Sequence, residues 1–259
     1  MNFFTIAQIT FKEAIRQRLV LMIGLVALAL VAVSRYFLRL DLGHEQLRFV
    51  FDFSSGALNF FGVIIAITST CSLFASEMEN KTVITLLSKS VNSADFAIGK
   101  ICGVAMALGV FVVSIFVASA LTLFLTEISL PMEVRQAKAV SYVGLLCYCF
   151  VQWLKLCMCA SVAGLICSLS KSFLFSVAVS FMCVFVCVMG NALVFLDADK
   201  TWLNVATTIL LPDFQLLDVA EIFVFNGVNN AMASVVGYAF IYIVCVCALT
   251  SYFFSRRDF

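Results

Sequence analysis

Charged residues are scarce in this chain, and proline and histidine are almost absent. Of its 259 residues, 12% are charged and 63% are hydrophobic, with two prolines and one histidine. Soluble domains typically carry about 25% charged residues and less than about 50% apolar residues. The composition therefore excludes a soluble domain, a disordered chain and a nucleic-acid-binding protein. It indicates a membrane protein built from helices.

The sequence also lacks the motifs of several enzyme classes. Its single histidine, His44, excludes the His-Glu-x-x-His pair of zinc proteases. There is no Gly-x-Ser-x-Gly elbow of serine hydrolases and no Gly-x-x-x-x-Gly-Lys-Ser/Thr loop for binding ATP phosphates. We therefore predict no catalytic residue, no bound cofactor and no metal site in this chain, and any ATP that it uses must be hydrolysed by another protein.

All 11 cysteines fall within long apolar segments, and none lies in a polar loop. This placement disfavours a disulfide framework. Cysteines two positions apart point to different sides of a helix and do not ligate one metal together. Cys183 and Cys187 share a helix face, but no histidine is near to complete a site. We interpret the cysteines as small apolar residues of the helix core.

Six apolar segments are expected to cross the membrane as helices, each close to the about 20 residues needed for a ~30 Å hydrocarbon core. The gaps between charged residues place the spans at 19–37, 54–76, 101–126, 141–167, 173–196 and 231–254. The predicted fold class is an all-α membrane protein in one transmembrane domain, 1–259. Six spans put both termini on one side, and the excess of Lys and Arg there predicts that this side is cytoplasmic.

Two further segments are expected to lie at the membrane surface or dip into it. Residues 1–18 alternate apolar and polar groups as an amphipathic interfacial helix does, although a frayed lead-in to the first span is the alternative. Residues 201–226 contain two apolar pieces that are too short to span, separated by Pro212. These pieces predict a re-entrant helical hairpin on the outer side, before the last span.

One charged residue, Lys155, lies in the middle of the fourth span. A lysine at this depth costs about 2.5–3.5 kcal/mol on insertion scales, so it should face the bundle interior, a partner or a watery cavity. Two interpretations remain open: a pathway or gating group, or a structural lysine that either pairs with an acid or a carbonyl or snorkels toward the interface. Gln152 is one turn away, and we expect it to share the cavity of Lys155.

The segment 77–100 between the second and third spans carries the most informative residue order. Glu77 and Glu79 follow the second span, and Phe96, Gly99 and Lys100 lead into the third. An apolar patch lies between them and must be covered by the membrane surface or by another protein. The patch consists of Val83, Ile84, Leu86 and Leu87.

This order resembles the permease subunits of ATP-binding-cassette transporters of the type-2, exporter-like class. In that family Glu-x-Glu-x-x-Thr is followed by Leu-Leu-Ser, a turn with proline, and Gly-Lys. The interfacial first helix, six spans and the hairpin before the last span also fit the family. Ser90 stands where the family often has proline. The matching residues are Glu77, Glu79, Thr82, Leu86, Leu87, Ser88, Gly99 and Lys100.

The resemblance implies a coupling helix that binds in a groove of a separate cytoplasmic ATPase, which holds ATP and magnesium. It also implies a second permease, either the same chain or a paralogue, and a location in the bacterial cytoplasmic (inner) membrane. Closure of the ATPases would then drive alternating access or lateral extrusion. The implied coupling residues are Glu77, Glu79, Thr82, Val83, Leu86, Leu87, Ser88, Phe96 and Lys100.

Two other functions remain open. The first is an intramembrane lipid-modifying enzyme, although scattered solvated charges are the better interpretation of the groups that would form its site. Those groups are Asp41, His44, Glu45, Arg48 and Asp52. The second is a membrane scaffold that does not transport and binds a cytoplasmic partner through the same loop.

Overall fold

The chain is almost entirely helical wherever the computed structural model describes it, which is at residues 3–37, 46–79, 93–129, 141–170, 172–196, 212–221, 224 and 231–255. No strand occurs in these ranges, which confirms the all-α prediction. A 3-10 turn, Val219–Glu221, follows the shortest helix. The helices are α1 Phe3–Arg16, α2 Arg18–Phe37, α3 Gln46–Glu79, α4 Ser93–Ser129, α5 Tyr142–Leu169, α6 Phe173–Leu196, α7 Gln215–Asp218 and α8 Ala231–Ser255.

Four helices, α3, α4, α5 and α8, are long and apolar enough to cross a membrane. The pair α1 and α2 is bent by 63° at its break and provides a fifth candidate if the pair forms one span. The apolar stretch of α6, Phe173–Val188, is shorter than each of these four helices. The described residues therefore fit a multi-pass membrane protein with four or five candidate spans, and the count of six stays a prediction.

Several helices extend beyond the predicted spans. The helix α3 is 34 residues long and includes the charged turns on both sides of the predicted span 54–76. The helix α4 begins at Ser93, eight residues before the predicted span 101–126. A helix does not end where the hydrocarbon ends, because its terminal turns can continue through the interface with their charges outward. Gaps between charges therefore do not mark where α3 and α4 begin and end.

The helix α5 lies at the centre of the bundle, where it contacts α3, α4, α6 and α8. Small residues allow its neighbours to approach closely. A Cβ atom on Gly62 of α3 would lie 2.8 Å from Leu156 Cδ1, and one on Gly164 of α5 would lie 3.3 Å from Ile101 Cδ1. These contacts join α5 to both α3 and α4.

The first helix packs along α4, its main neighbour. A Cβ atom on Gly103 would lie 2.6 Å from Thr10 Cβ and 2.8 Å from the carbonyl oxygen of Ala7. Gly103 is therefore required for a contact within this chain. At the break between α1 and α2, the Gln17 side chain donates a hydrogen bond of 2.8 Å to Ser72 Oγ on α3. These contacts fix the direction of α1 relative to the spanning helices.

Candidate functional site

Polar residues form a stripe along one face of the central helix α5. Residues three, four and seven positions apart share a helix face, so Tyr148, Gln152 and Lys155 lie in one row. All three are buried. We name them the α5 stripe. It turns polar groups toward the interior of the bundle.

The described part of the predicted hairpin runs beside this stripe. At the start of α5, the Ser141 backbone N–H donates a hydrogen bond of 3.1 Å to the Val224 carbonyl. Halfway along α5, Lys155 Nζ donates to Asp218 Oδ1 at 2.6 Å. Ser141 and Lys155 are about 21 Å apart along the axis, since a helix rises 1.5 Å per residue. Asp218 therefore contacts α5 at mid-helix, and Val224 contacts it at its start.

This segment also contacts the last helix, because the Asp213 backbone N–H donates a hydrogen bond of 2.9 Å to Tyr238 Oη on α8. The beginning of the segment is thus attached to α8, and its later residues are attached to α5. The predicted first half of the hairpin, 201–211, lies outside the described residues.

Lys155 and Asp218 form an ion pair in which the two partners differ in exposure. The Lys155 side chain is 8% exposed and that of Asp218 is 41% exposed. The ring of Phe214 lies 5.7 Å from Lys155 Nζ and covers the cation from another side. The pairing with an acid, one of the two interpretations left open by the sequence, is therefore present. Sequence reasoning did not find Asp218, because it belongs to a short segment 63 residues further along the chain.

A cavity of about 480 Å³ lies beside this ion pair, between α3, α5, α6 and the segment at α7. Its size falls in the range of small-molecule sites. At its edge the rings of Phe60 and Phe185 are 65% and 61% exposed, so it opens toward the lipid-facing side of the bundle. It is lined by Gly56, Asn59, Phe60, Val63, Ile64, Lys155, Cys159, Phe181, Val184, Phe185, Val188, Phe214 and Asp218.

Gln152 does not line this cavity, contrary to the expectation that it shares a cavity with Lys155. It is fully buried, and neither atom of its amide has a hydrogen-bond partner within the described ranges. A buried amide without a partner costs about 1–3 kcal/mol. The periodicity identified the helix face of Gln152 correctly, but the cavity forms on the side of Lys155 that faces α3 and α6.

Glu221 follows Asp218 by one turn and is half-buried in the 3-10 turn. Burial raises its pKa above the ordinary glutamate value, and the negative charges of Asp218 and Asp52 raise it further. The positive charges of Lys155 and Arg48 act in the opposite direction. The carboxyl group of Glu221 is therefore held closer to its neutral form than an exposed glutamate.

A second buried lysine lies at the other end of the bundle, where α3 ends and α4 begins. Lys100 is 1% exposed and donates a hydrogen bond to the Leu73 carbonyl oxygen. Its Nζ lies 5.6 Å from the ring centroid of Phe74 and 5.4 Å from that of Phe96. Phe254 of α8 stacks on Phe96 at 5.5 Å. We name these five residues the Lys100 cluster; it joins the ends of α3, α4 and α8.

The predicted coupling residues thus separate into three groups. Phe96 and Lys100 are buried within the Lys100 cluster at the start of α4, which follows the 80–92 segment. Glu77 and Glu79 lie in the last turn of α3. The remaining five lie outside the described residues, so their role stays a prediction. They are Thr82, Val83, Leu86, Leu87 and Ser88.

Two cysteines that are far apart in sequence meet between α3 and α5. The Cys167 thiol donates a hydrogen bond of 3.4 Å to Cys71 Sγ; both thiols are buried, and no disulfide joins them. Across the described ranges, no three His, Cys, Asp or Glu side chains are grouped so that they could hold a metal ion. The contact is one of helix packing.

Comparison with known protein families finds no family model that matches this chain. Comparison with curated proteins likewise finds no matching relative. The function proposed for the chain therefore depends on its residue order and on the geometry described above.

Proposed function

We propose that this chain is the membrane-spanning permease subunit of a type-2 ATP-binding-cassette transporter. In this proposal it moves a substrate across the bacterial cytoplasmic membrane, and a separate ATPase subunit hydrolyses the ATP. Both termini and the 77–100 segment are cytoplasmic, six helices span the membrane, and α1 lies in the interface. The 63° bend between α1 and α2 and the basic residues near this end support that arrangement.

The observation that carries the proposal is the Lys100 cluster. A loop that receives force from an ATPase can pass it on only if its base is firmly joined to the spanning helices. Here the 80–92 segment links α3 to α4 along the chain, and Lys100 and Phe96 join the adjoining ends of these two helices to each other and to α8. The cluster thus supplies a physical reason for the Gly-Lys that opens the third span in the family pattern.

The mechanism follows from the packing of the bundle. Closure of the ATPase pushes the 80–92 segment, and the Lys100 cluster makes α3 and α4 move together. Gly62 and Gly164 hold these helices against α5, so the displacement reaches the helix that carries Lys155. Lys155 and Asp218 then lie where a substrate pathway would pass. Coupling of this kind requires two sites and an element with two states.

The first test is purification of the tagged chain from its own host in mild detergent, followed by identification of what accompanies it. We expect a stoichiometric ATPase that carries the Gly-x-x-x-x-Gly-Lys-Ser/Thr loop. The double variant Leu86→Asp, Leu87→Asp should lose this ATPase but still insert in the membrane, because two charges replace apolar docking groups. The matched control, Asn80→Asp with Asn92→Asp, adds the same charge at polar positions of the same segment and should keep the ATPase.

Two results would contradict the proposal. A preparation with no ATPase, even after crosslinking in the cell, would favour the scaffold or the intramembrane enzyme. An ATPase retained equally by both double variants would show that the 80–92 segment is not the docking element.

The proposal also includes a second permease subunit. Expression of two differently tagged copies tests whether the partner is the same chain. Recovery of both tags together with the ATPase indicates a homodimer, and recovery of one tag with a different permease indicates a paralogue. Recovery of one tag with an ATPase but no other membrane protein would contradict the paired arrangement.

A further inference from the structure

One side of α1 is fixed against the bundle, and this contact determines where its other sides point. Ala7 and Thr10 are buried against Gly103 of α4, so closely that a Cβ atom on that glycine would have no room. Just after the helix, the Gln17 side chain donates a hydrogen bond of 2.8 Å to Ser72 Oγ of α3. The helix therefore cannot turn about its own axis without breaking both contacts.

The sides of α1 that remain are an apolar stripe and a charged side. The stripe consists of Phe4, Phe11 and Ile15, which are seven and four positions apart and so share one side of the helix. With about 100° per residue, Lys12 and Arg16 lie about 80° and 120° around the helix from the centre of this stripe. When the stripe enters the hydrocarbon, both cations are therefore at the level of the lipid head groups.

A cavity of about 520 Å³ lies along the charged side of α1. The described residues that line it are Ile9, Lys12, Glu13, Arg16 and Gln17. The three charged residues are exposed, and within the described ranges none of them forms an ion pair. Two cations and one carboxylate leave a net positive charge that no other described residue neutralises. The cavity therefore favours an anion.

We propose that this cavity binds the head group of an anionic phospholipid. The phosphate lies between Lys12 and Arg16, which are one helical turn apart, and the acyl chains pass along the apolar stripe into the membrane. Arginine can hold a phosphate through two parallel hydrogen bonds, and lysine attracts it as a point charge. The Glu13 carboxylate opposes this attraction, but the two cations outweigh it.

This inference goes beyond the proposed function and rests on it only for the interfacial position of α1. Lipid binding itself does not require the ATPase. The experiment therefore measures binding alone, in the purified full-length chain.

The chain is reconstituted in phosphatidylcholine nanodiscs that contain a small fraction of phosphatidylglycerol with a diazirine in its head group. After irradiation, labelling of the chymotryptic peptides of α1 is measured by mass spectrometry, with and without unlabelled competitor. We expect saturable labelling that phosphatidylglycerol halves at a mole fraction about fivefold lower than phosphatidylethanolamine, whose head group has no net charge. Free inorganic phosphate should not compete, because it lacks the acyl chains that pack on the stripe.

Substitutions of exposed charges test whether the cavity is responsible. Lys12→Gln and Arg16→Gln each remove one cation from its lining, and each should raise the half-saturating mole fraction of the photoreactive lipid about fivefold. Arg18→Gln is the matched control, because it removes the same charge from an exposed residue that does not line the cavity. It should change the value less than about twofold. Glu13→Gln removes the opposing carboxylate and should lower the value.

An equal loss in Lys12→Gln, Arg16→Gln and Arg18→Gln would indicate diffuse attraction to a basic surface and overturn the inference. Stronger competition by phosphatidylethanolamine, or displacement by free phosphate, would overturn it as well. Labelling that depends on Lys12 and Arg16 in a chain that co-purifies with no ATPase would keep the lipid site and reject the permease. An associated ATPase with no saturable labelling of α1 would reject the lipid site and keep the permease.

Discussion

Two buried lysines, Lys100 and Lys155, show how the same residue type serves two different environments. Lys100 is enclosed by two aromatic rings and hydrogen-bonded to the Leu73 carbonyl of a neighbouring helix. Lys155 is paired with Asp218, a carboxylate that is partly exposed and borders a cavity. The first environment holds helix ends together. The second presents charge to a space that a ligand can enter.

The largest effect should come from leaving Lys155 without its partner. We expect Asp218→Leu to lower the free energy of unfolding by about 2–3 kcal/mol, less than the about 3–5 kcal/mol for a fully buried pair, because Asp218 is partly exposed. Unfolding in mixed detergent micelles measures the change. The double variant Lys155→Met, Asp218→Leu should recover most of the stability, because no uncompensated charge remains. Equal stability of the single and double variants would show that the charge of Lys155 is already satisfied elsewhere.

A smaller effect is expected for Lys100→Met. Methionine fills a similar volume, and the variant loses the hydrogen bond to the Leu73 carbonyl and two cation–ring contacts. Because the variant no longer buries a charge, part of this loss is offset, and we expect a net loss of about 1–2 kcal/mol. The same unfolding measurement applies. Phe96→Leu is the matched control and should lower stability without removing the charge. A loss for Lys100→Met larger than that for Asp218→Leu would reverse the contrast between the two lysines.

The two lysines should also differ in function under the permease proposal. Lys155→Met should change substrate-stimulated ATP turnover of the assembled complex by about fivefold, or about 1 kcal/mol, because it removes the cation that lines the cavity beside Asp218. The matched variant Cys159→Ala, one turn away on the same cavity wall, keeps the ion pair and should change turnover less. Wild-type turnover in Lys155→Met would leave the ion pair with a structural role alone.

The smallest effect should be a pH dependence that arises near Asp218. Burial first, and neighbouring acids second, raise the pKa of Glu221, so the folded chain binds a proton at a pH where the unfolded chain has released it. Stability should therefore fall as the pH rises from the ordinary glutamate pKa through the raised value. Glu221→Gln should remove this dependence, and unfolding measured across that pH range tests it. An unchanged pH profile in Glu221→Gln would assign the dependence to another group.

Sequence reasoning located Lys155 because a charge inside an apolar window is visible in the sequence. It did not identify the acid that pairs with it, since Asp218 occupies a short segment whose path depends on contacts with α5 and α8. It also placed Gln152 in the same cavity as Lys155. Helical spacing fixes which face a side chain lies on, but the position of α3 and α6 decides where space remains beside that face.

In the 77–100 segment, too, sequence reasoning singled out the residues but did not identify their contacts. Its residue order suggested docking to a partner, and Lys100 was assigned to that role along with the apolar patch. In the folded chain Lys100 is buried, because Phe74 from α3 and Phe254 from α8 pack around the start of α4. Phe254 is more than 150 residues away in the sequence, so local reasoning had no means of placing it there.

The sequence by itself determined that this chain is helical, apolar and interrupted by one charged residue at mid-span. These properties are local, because the cost of a charge or an unpaired backbone group in hydrocarbon applies to each segment separately. Only the tertiary structure decided that α5 is central, that Lys100 is enclosed, and that Lys155 and Asp218 border a cavity. Those properties arise from contacts between residues distant in the chain, where close packing of side chains fixes which charges are covered and which stay accessible.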